Sequence, residues 1–251
     1  MPALSEEAAA RSTAEASVRP VSRARVFANR LIFRAMLFTM GSIAVLLHTV
    51  LRNEELTWRF AKTQARVLAR LLGVRVNVRG LEHLDGKPCV FVSNHRSHFD
   101  VAAILGFVPG INRFTAKKEL FREPVLGLVM RTMGMIPVDR DHPEKAIERL
   151  KRLRSDGHSL VFFPEGTRSR EGVLGPFKKG AFVTAIELGL PVVPIACRNS
   201  DAIMPAGGYL TILPGEMELV ILEPVATAGL SYEQRDALAA QIRARIATAL
   251  A

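Results

Sequence analysis

The sequence predicts an α/β fold behind a basic, apolar N-terminal segment, and three observations carry that expectation. From Val74 onward, short apolar runs alternate with helical patterns, as they do when helices pack on a sheet. No repeat or internal linker breaks the alternation, and 251 residues at 49% hydrophobic content suffice for one sizeable core. The charge is lopsided, because residues 1–80 hold 13 of the 34 Lys and Arg but only 5 of the 24 Asp and Glu.

Residues 1–22 are rich in Ala, Ser and Glu and read as a flexible tail. The run Ala35 to Leu51 is apolar apart from His48 and is bounded by Arg34 and Arg52. Its length is at the lower limit for a membrane span. Arginines occur on both sides, so charge bias selects no orientation. A helix that dips into one leaflet and returns keeps both basic flanks on one anionic face, and we favour it over a span. Cleavage as a signal peptide is not expected, since about thirty mostly polar residues precede the apolar run. In Glu54 to Leu72, Phe60, Val67, Leu68 and Leu71 lie near one face while Arg59, Lys62, Arg66 and Arg70 recur on another. That is an interfacial-helix pattern, with a helix on the protein's own core and solvated basic residues as the alternative. Because the basic excess flanks an apolar stretch and only 6% of residues are aromatic, it suits an anionic membrane surface better than nucleic acid.

Strands are expected at Val74 to Arg79, Pro88 to Ser93, Arg113 to Ala116, Ser159 to Phe163, Val192 to Cys197 and Glu218 to Leu222. Helices are expected at Val101 to Val108, at Pro143 to Arg154 with Gly157 as a stop, and at Gly180 to Leu188 before Gly189. A closing helix, Tyr232 to Leu250, begins with Ser231 and Gln234 as a capping box. Cys89 and Cys197 sit in apolar runs and read as buried thiols, not as a disulfide framework.

The chemistry is concentrated in Asn94-His95-Arg96-Ser97-His98-Phe99-Asp100, a strand-to-helix turn. Five residues of ideal helix rotate about 500°, so His95 and Asp100 meet only if His95 lies in the loop and Asp100 in the first helical turn. An imidazole takes a proton from an alcohol when a carboxylate fixes its tautomer and steadies the imidazolium that forms. Equally, Ser97 and Asp100 fit a capping box in which Asp100 merely caps the helix. Downstream lie Gly134-Met135-Ile136-Pro137-Val138-Asp139-Arg140, then Phe163-Pro164-Glu165-Gly166-Thr167-Arg168-Ser169, then Val193-Pro194-Ile195. In the second block Pro164 ends a strand, Gly166 permits close backbone approach, and Arg168 offers a fork suited to phosphate, with Glu165 bracing Arg168 or another arginine. The chain lacks the G-x-S-x-G, G-x-x-x-x-G-K-[ST] and G-x-G-x-x-G patterns, and no second ligand cluster accompanies His95, His98 and Asp100, so no metal is expected.

In this order the four blocks resemble those of the lysophosphatidic acid (1-acyl-sn-glycerol-3-phosphate) acyltransferase family, over about Val74 to Pro224. Pro137 departs from the bulkier apolar residue many relatives carry and puts the local backbone shape in question. The resemblance implies a glycerolphosphate acyltransferase-like mixed sheet flanked by helices, with 23–73 as a two-helix membrane-docking element and 74–251 as the catalytic domain. It implies His95 and Asp100 as catalytic, Arg168, Lys117, Arg140, Gly166 and Thr167 as phosphate-binding, and Glu165 as supporting. Lys117 suits the lysine expected about twenty residues after the histidine better than Lys118, and Lys178 and Lys179 either meet the acyl donor or are solvated. The implied reaction moves an acyl group from acyl-CoA or acyl carrier protein to the sn-2 hydroxyl of lysophosphatidic acid, at the cytoplasmic face of the inner membrane. No cofactor beyond the donor is implied. Alternatives are transfer to lyso-ornithine lipid or another lysophospholipid, a covalent route through Ser93 or Ser97, or a silent membrane-binding relative.

Overall fold

The computed structural model describes residues 22–138, 157–167, 173–205 and 211–251. The expected helix from Pro143 to Arg154 and nearly all of the N-terminal tail lie outside these residues. Ser22, placed at the end of that tail, is instead the N-cap of the first helix, its hydroxyl accepting from Arg25 N at 3.2 Å.

Two helices precede the sheet, α1 (Arg23–Leu46) and α2 (Glu54–Leu72). A π turn, Leu47–Leu51, prolongs α1 until Arg52 adopts a left-handed conformation. The combined 29-residue helix is long and apolar enough to cross a membrane. Yet it lies along the protein: buried Asn29 donates to Ile212 O at 2.8 Å, Arg30 donates to Thr211, and Ala44 is buried.

The seven described strands are β1 (Val74–Arg79), β2 (Val90–Ser93), β3 (Asn112–Lys117), β4 (Ile136–Val138), β5 (Ser159–Phe162), β6 (Val192–Arg198) and β7 (Gly215–Ile221), in the order β1-β7-β6-β2-β5-β3-β4. The sheet is mixed. Strands β4, β3, β5, β2 and β6 run parallel, and the antiparallel β6–β7 pairing reverses β7 and its parallel neighbour β1. The short β4 was not anticipated, since three residues around a proline give little periodicity. Pro137 is accommodated because among the described residues β4 is the edge strand and pairs with β3 alone, so the missing N–H interrupts no second described ladder.

Between the strands lie α3 (Phe99–Phe107), α4 (Pro124–Thr132), α5 (Gly180–Leu188) and the short α6 (Ser200–Ile203), and the closing α7 (Arg235–Leu250) follows the last of them. Alternation along β2 divides the core. Phe91 joins Trp58, Ala61 and Leu72 of α2 and Phe99 and Ile104 of α3, whereas Val90 and Val92 join Phe182 and Leu188 of α5 and Ile242 and Ile246 of α7. The capping box before α7 is present, with Ser231 N donating to Gln234 Oε1 at 2.8 Å.

For α2 the structure shows which face packs on the protein and which is left outside. Its buried face is Thr57, Trp58, Ala61, Ala65, Leu68, Ala69 and Leu72, while Leu71 is exposed and Phe60 and Val67 are half-buried. Small residues let α2 approach α3 closely, since a Cβ on Gly106 would stand 3.1 Å from that of Ala65. Two of its basic residues are not simply solvated. Lys62 Nζ donates to Leu105 O (3.2 Å) and Val108 O (2.6 Å), and Arg66 Nε donates to Gly106 O (2.6 Å), so both cap the C-terminus of α3. Burial, with a smaller contribution from Arg66, pulls the Lys62 ammonium down to about 8.

Candidate active site

The five parallel strands end on one edge of the sheet, and in open α/β sheets the crevice beyond the carboxyl ends of such strands is where ligands bind. The loop after β2 stands centrally on that edge. Two side chains tether it. Asn94 extends the pairing with β6, its amide donating to Cys197 O (2.9 Å) and its carbonyl accepting from Cys197 N (2.7 Å). From the β5 side, Glu165 Oε1 accepts from His95 N at 2.8 Å, and its other oxygen accepts from Gly175 N at 3.1 Å. The expectation that Glu165 braces Arg168 falls on a residue outside those described; among the described residues its carboxylate clamps backbone, joining the loop after β2 to the segment leading into α5.

Held in this way, His95 lies in the loop and Asp100 in the first turn of α3. The ring Nδ1 is 2.9 Å from Asp100 Oδ2. That oxygen also accepts from Arg96 N and Ser97 N, each at 2.9 Å. An oxygen already accepting two backbone N–H bonds is an acceptor for the ring as well, so Nδ1 carries the proton and Nε2 is left with its lone pair. Asp100 is both a helix-start residue and the partner of His95, and the two readings of the heptad describe one carboxylate. It is fully buried, and its Oδ1 has no hydrogen-bond partner among the described residues. The His95 side chain keeps 15% of its surface exposed.

Phe163 stacks on the imidazole, with ring centroids 4.3 Å apart and planes inclined by 25°. Sequence reasoning missed this contact, although an aromatic directly before the proline that ends a strand was the available signal. Asn94 was missed too, having no signature beyond its place beside His95.

The cations are distributed more widely. Phe91 and Phe114 both pair with Val161, so Lys117, three residues past Phe114, is level with Asn94 along the sheet. Strand β5 intervenes, which puts Lys117 two interstrand spacings, about 10 Å, from the line of β2. Gly166 takes a left-handed conformation and its N–H closes a turn onto Phe163 O at 3.0 Å, and Thr167 beside it is exposed. Arg168 and Arg140 lie outside the described residues. Lys179 pairs with Asp236 of α7 at 2.9 Å on the surface, and Lys178 is exposed beside it. Ser93 and Ser97 are fully buried and committed: Ser93 Oγ donates to Asn94 O, and Ser97 Oγ donates to Met204 O while accepting from Phe99 N. Neither hydroxyl is presented as a nucleophile. Burial raises the thiol of Cys89 to about 12 and that of Cys197 well above its usual value, so both behave as buried hydrophobes.

A family model described as acyltransferase matches residues 75–198. Over 210 residues the chain is 33% identical to the 1-acyl-sn-glycerol-3-phosphate acyltransferase of Saccharomyces cerevisiae, an alignment covering 81% of this chain and 69% of the yeast protein. The chain belongs to the 1-acyl-sn-glycerol-3-phosphate acyltransferase family. It is also 41% identical over 156 residues to the chloroplastic enzyme of that name from Brassica napus, covering 60% of this chain and 45% of the plant protein. Thus the chain spans about half the length of that relative. Among solved structures, the 1-acyl-sn-glycerophosphate (LPA) acyltransferase PlsC from Thermotoga maritima superposes with a TM-score of 0.74 at 25% identity, covering 91% of this chain and 97% of the other.

Proposed function

We propose that this protein is a 1-acyl-sn-glycerol-3-phosphate O-acyltransferase, which forms phosphatidic acid by acylating the sn-2 hydroxyl of lysophosphatidic acid. The observation that carries the reading is the His95 Nδ1 to Asp100 Oδ2 contact inside the family's first motif, at the carboxyl edge of the sheet. His95 Nε2 takes the proton of the lipid hydroxyl as its oxygen attacks the thioester carbonyl carbon, and Asp100 stabilises the imidazolium. The tetrahedral adduct then breaks its carbon–sulfur bond. The departing thiolate takes the proton from His95 and leaves as free thiol, which restores the neutral ring. Glu165 acts through the backbone, fixing where His95 stands.

Arg168, with Lys117, Arg140 and the turn at Gly166 and Thr167, holds the substrate phosphate so that the hydroxyl lies beside His95, and positioning of this kind can lower a barrier by several kcal/mol. The donor is acyl-CoA or acyl carrier protein, and no further cofactor takes part. Residues 23–73 dock the catalytic domain, 74–251, on the cytoplasmic face of the inner membrane. Because α1 packs along the protein from Asn29 to Ala44, a helix resting in one leaflet fits better than one crossing both. The test is a panel of lysolipids incubated with purified protein and acyl-CoA or acyl carrier protein thioester, read by lipid mass spectrometry. Phosphatidic acid as the main product is expected. Acylation of lyso-ornithine lipid or lysophosphatidylcholine with lysophosphatidic acid untouched would overturn the assignment.

A further inference from the structure

Among the described residues, helix α4 has an outward face with no apolar counterpart. Gly127 is held against Phe121, where a Cβ would meet the Phe121 carbonyl, Met130 is buried, and Arg131 turns back to donate to Phe121 O. What remains outside is apolar: Val125 is 54% exposed, Leu126 38% and Leu128 46%, with Leu120 just before them at 40%. Scattered exposed leucines need no explanation, but four within nine residues form a patch.

Its position decides the partner. Val129 meets α1 at Gly41, where a Cβ would come within 2.7 Å of a Val129 methyl. Val125 and Leu126 lie four and three residues before Val129, hence on the same side of α4, so their exposed surface adjoins that of α1. Near that contact α1 presents Phe38, Ile43 and Leu46, and several turns further toward its N-terminus Phe27 and Leu31, all exposed. The helix and the turn before it carry Lys118, Arg122 and Arg131 against Glu119 and Glu123, and α4 has no acidic residue in its first turn. An apolar face fringed by a basic excess suits an anionic lipid surface.

We propose that α4 is a second lipid-contacting element, resting in the same leaflet as α1 with Val125, Leu126 and Leu128 below the headgroups. The inference rests on the reading of α1 as a membrane helix and extends the contact to the catalytic domain itself. Strand β3 ends at Lys117 on the site edge and the chain enters α4 seven residues later, so the contact would set that edge against the headgroup layer. A lysolipid would then travel a short way from leaflet to His95.

The experiment places a nitroxide at single cysteines replacing Val125, Leu128, Phe38 or Tyr232 in the full chain bound to phosphatidylcholine–phosphatidylglycerol vesicles. Cys89 and Cys197 are buried and stay in place. Accessibility to oxygen against a water-soluble nickel chelate reports depth. The expected result is a lipid signature at 125, 128 and 38 and a water signature at 232. Labels at 125 and 128 in water with 38 in lipid would overturn the inference while leaving the α1 reading intact, and a water signature at all four would remove both. Spin–spin broadening at 125 that disappears on dilution with unlabelled protein would assign the face to a second copy and also overturn it. As a second measurement, Val125→Glu with Leu128→Glu should lower vesicle partitioning by about tenfold or more while activity on detergent-dispersed substrate persists. Unchanged partitioning would contradict the proposal.

Discussion

Replacing Asp100 by Asn separates charge from geometry in the His95 pair. Oδ2 of Asp100 accepts three bonds, from His95 Nδ1, Arg96 N and Ser97 N, all at 2.9 Å. In Asp100→Asn the amide oxygen must take that position, because an NH2 group there would face three donors. The ring therefore keeps its proton on Nδ1 and its lone pair on Nε2. The new NH2 occupies the buried site of Oδ1, which receives no hydrogen bond from the described residues, and a donor left unpaired there costs about 1–3 kcal/mol of stability. Activity loses the attraction between carboxylate and imidazolium. For charges about 4 Å apart at an effective dielectric near 20, that attraction is about 4 kcal/mol. Since the imidazolium is only partly formed in the transition state, kcat should fall by roughly 10²- to 10³-fold. The assay is thiol release from acyl-CoA with lysophosphatidic acid as acceptor, alongside a thermal melt showing that the variant is folded. A folded Asp100→Asn enzyme within threefold of the parent would refute the charge argument.

In Glu165→Gln, one amide atom faces an N–H it cannot accept, either that of His95 or that of Gly175, so kcat should drop by about tenfold or more with little change in KM for the thioester; steady-state kinetics at varied acyl-CoA would show the split. Arg168→Ala should raise KM for lysophosphatidic acid by at least about tenfold and leave a phosphate-free acceptor unaffected, as a competition assay between the two would reveal. For Lys62 the sign follows from its lowered value of about 8 against 10.5 in the unfolded chain. Between those values the unfolded state binds more protons, so stability rises with pH across the window and is flat in this group below it. The deprotonated amine still has N–H donors for Leu105 O and Val108 O, so the cap survives. Denaturant midpoints from pH 7 to 11 should show that rise in the parent and a flatter profile in Lys62→Met.

Local structure was legible wherever the pattern was local. Val74 to Arg79 and Gly180 to Leu188 fold with the bounds their sequences indicate, as the alternation in the first and the Gly189 stop in the second require. The five-residue offset of His95 and Asp100 demanded a loop residue and a first-turn residue, and the chain supplies both. Contacts between distant segments were not legible in the same way. Nothing in Glu165 announces that its carboxylate reaches two backbone N–H groups, one of them 70 residues earlier. On α2 the large apolar residues drew attention to Phe60, Val67, Leu68 and Leu71, of which only Leu68 is buried, whereas the packed face also takes Trp58 and the small Ala61 and Ala65, the last close against Gly106 of α3. Strand order is likewise set by which crossovers bury the most surface, a property no single segment carries.

His95→Ala tests the central claim most directly, because it removes the base and leaves Asp100, Glu165 and the loop's backbone bonds in place. Thiol release with lysophosphatidic acid and acyl-CoA should fall by about 10²- to 10⁴-fold, toward the rate without enzyme, with the thermal melt largely preserved. A folded His95→Ala protein that still forms phosphatidic acid at close to the parent rate would contradict the account.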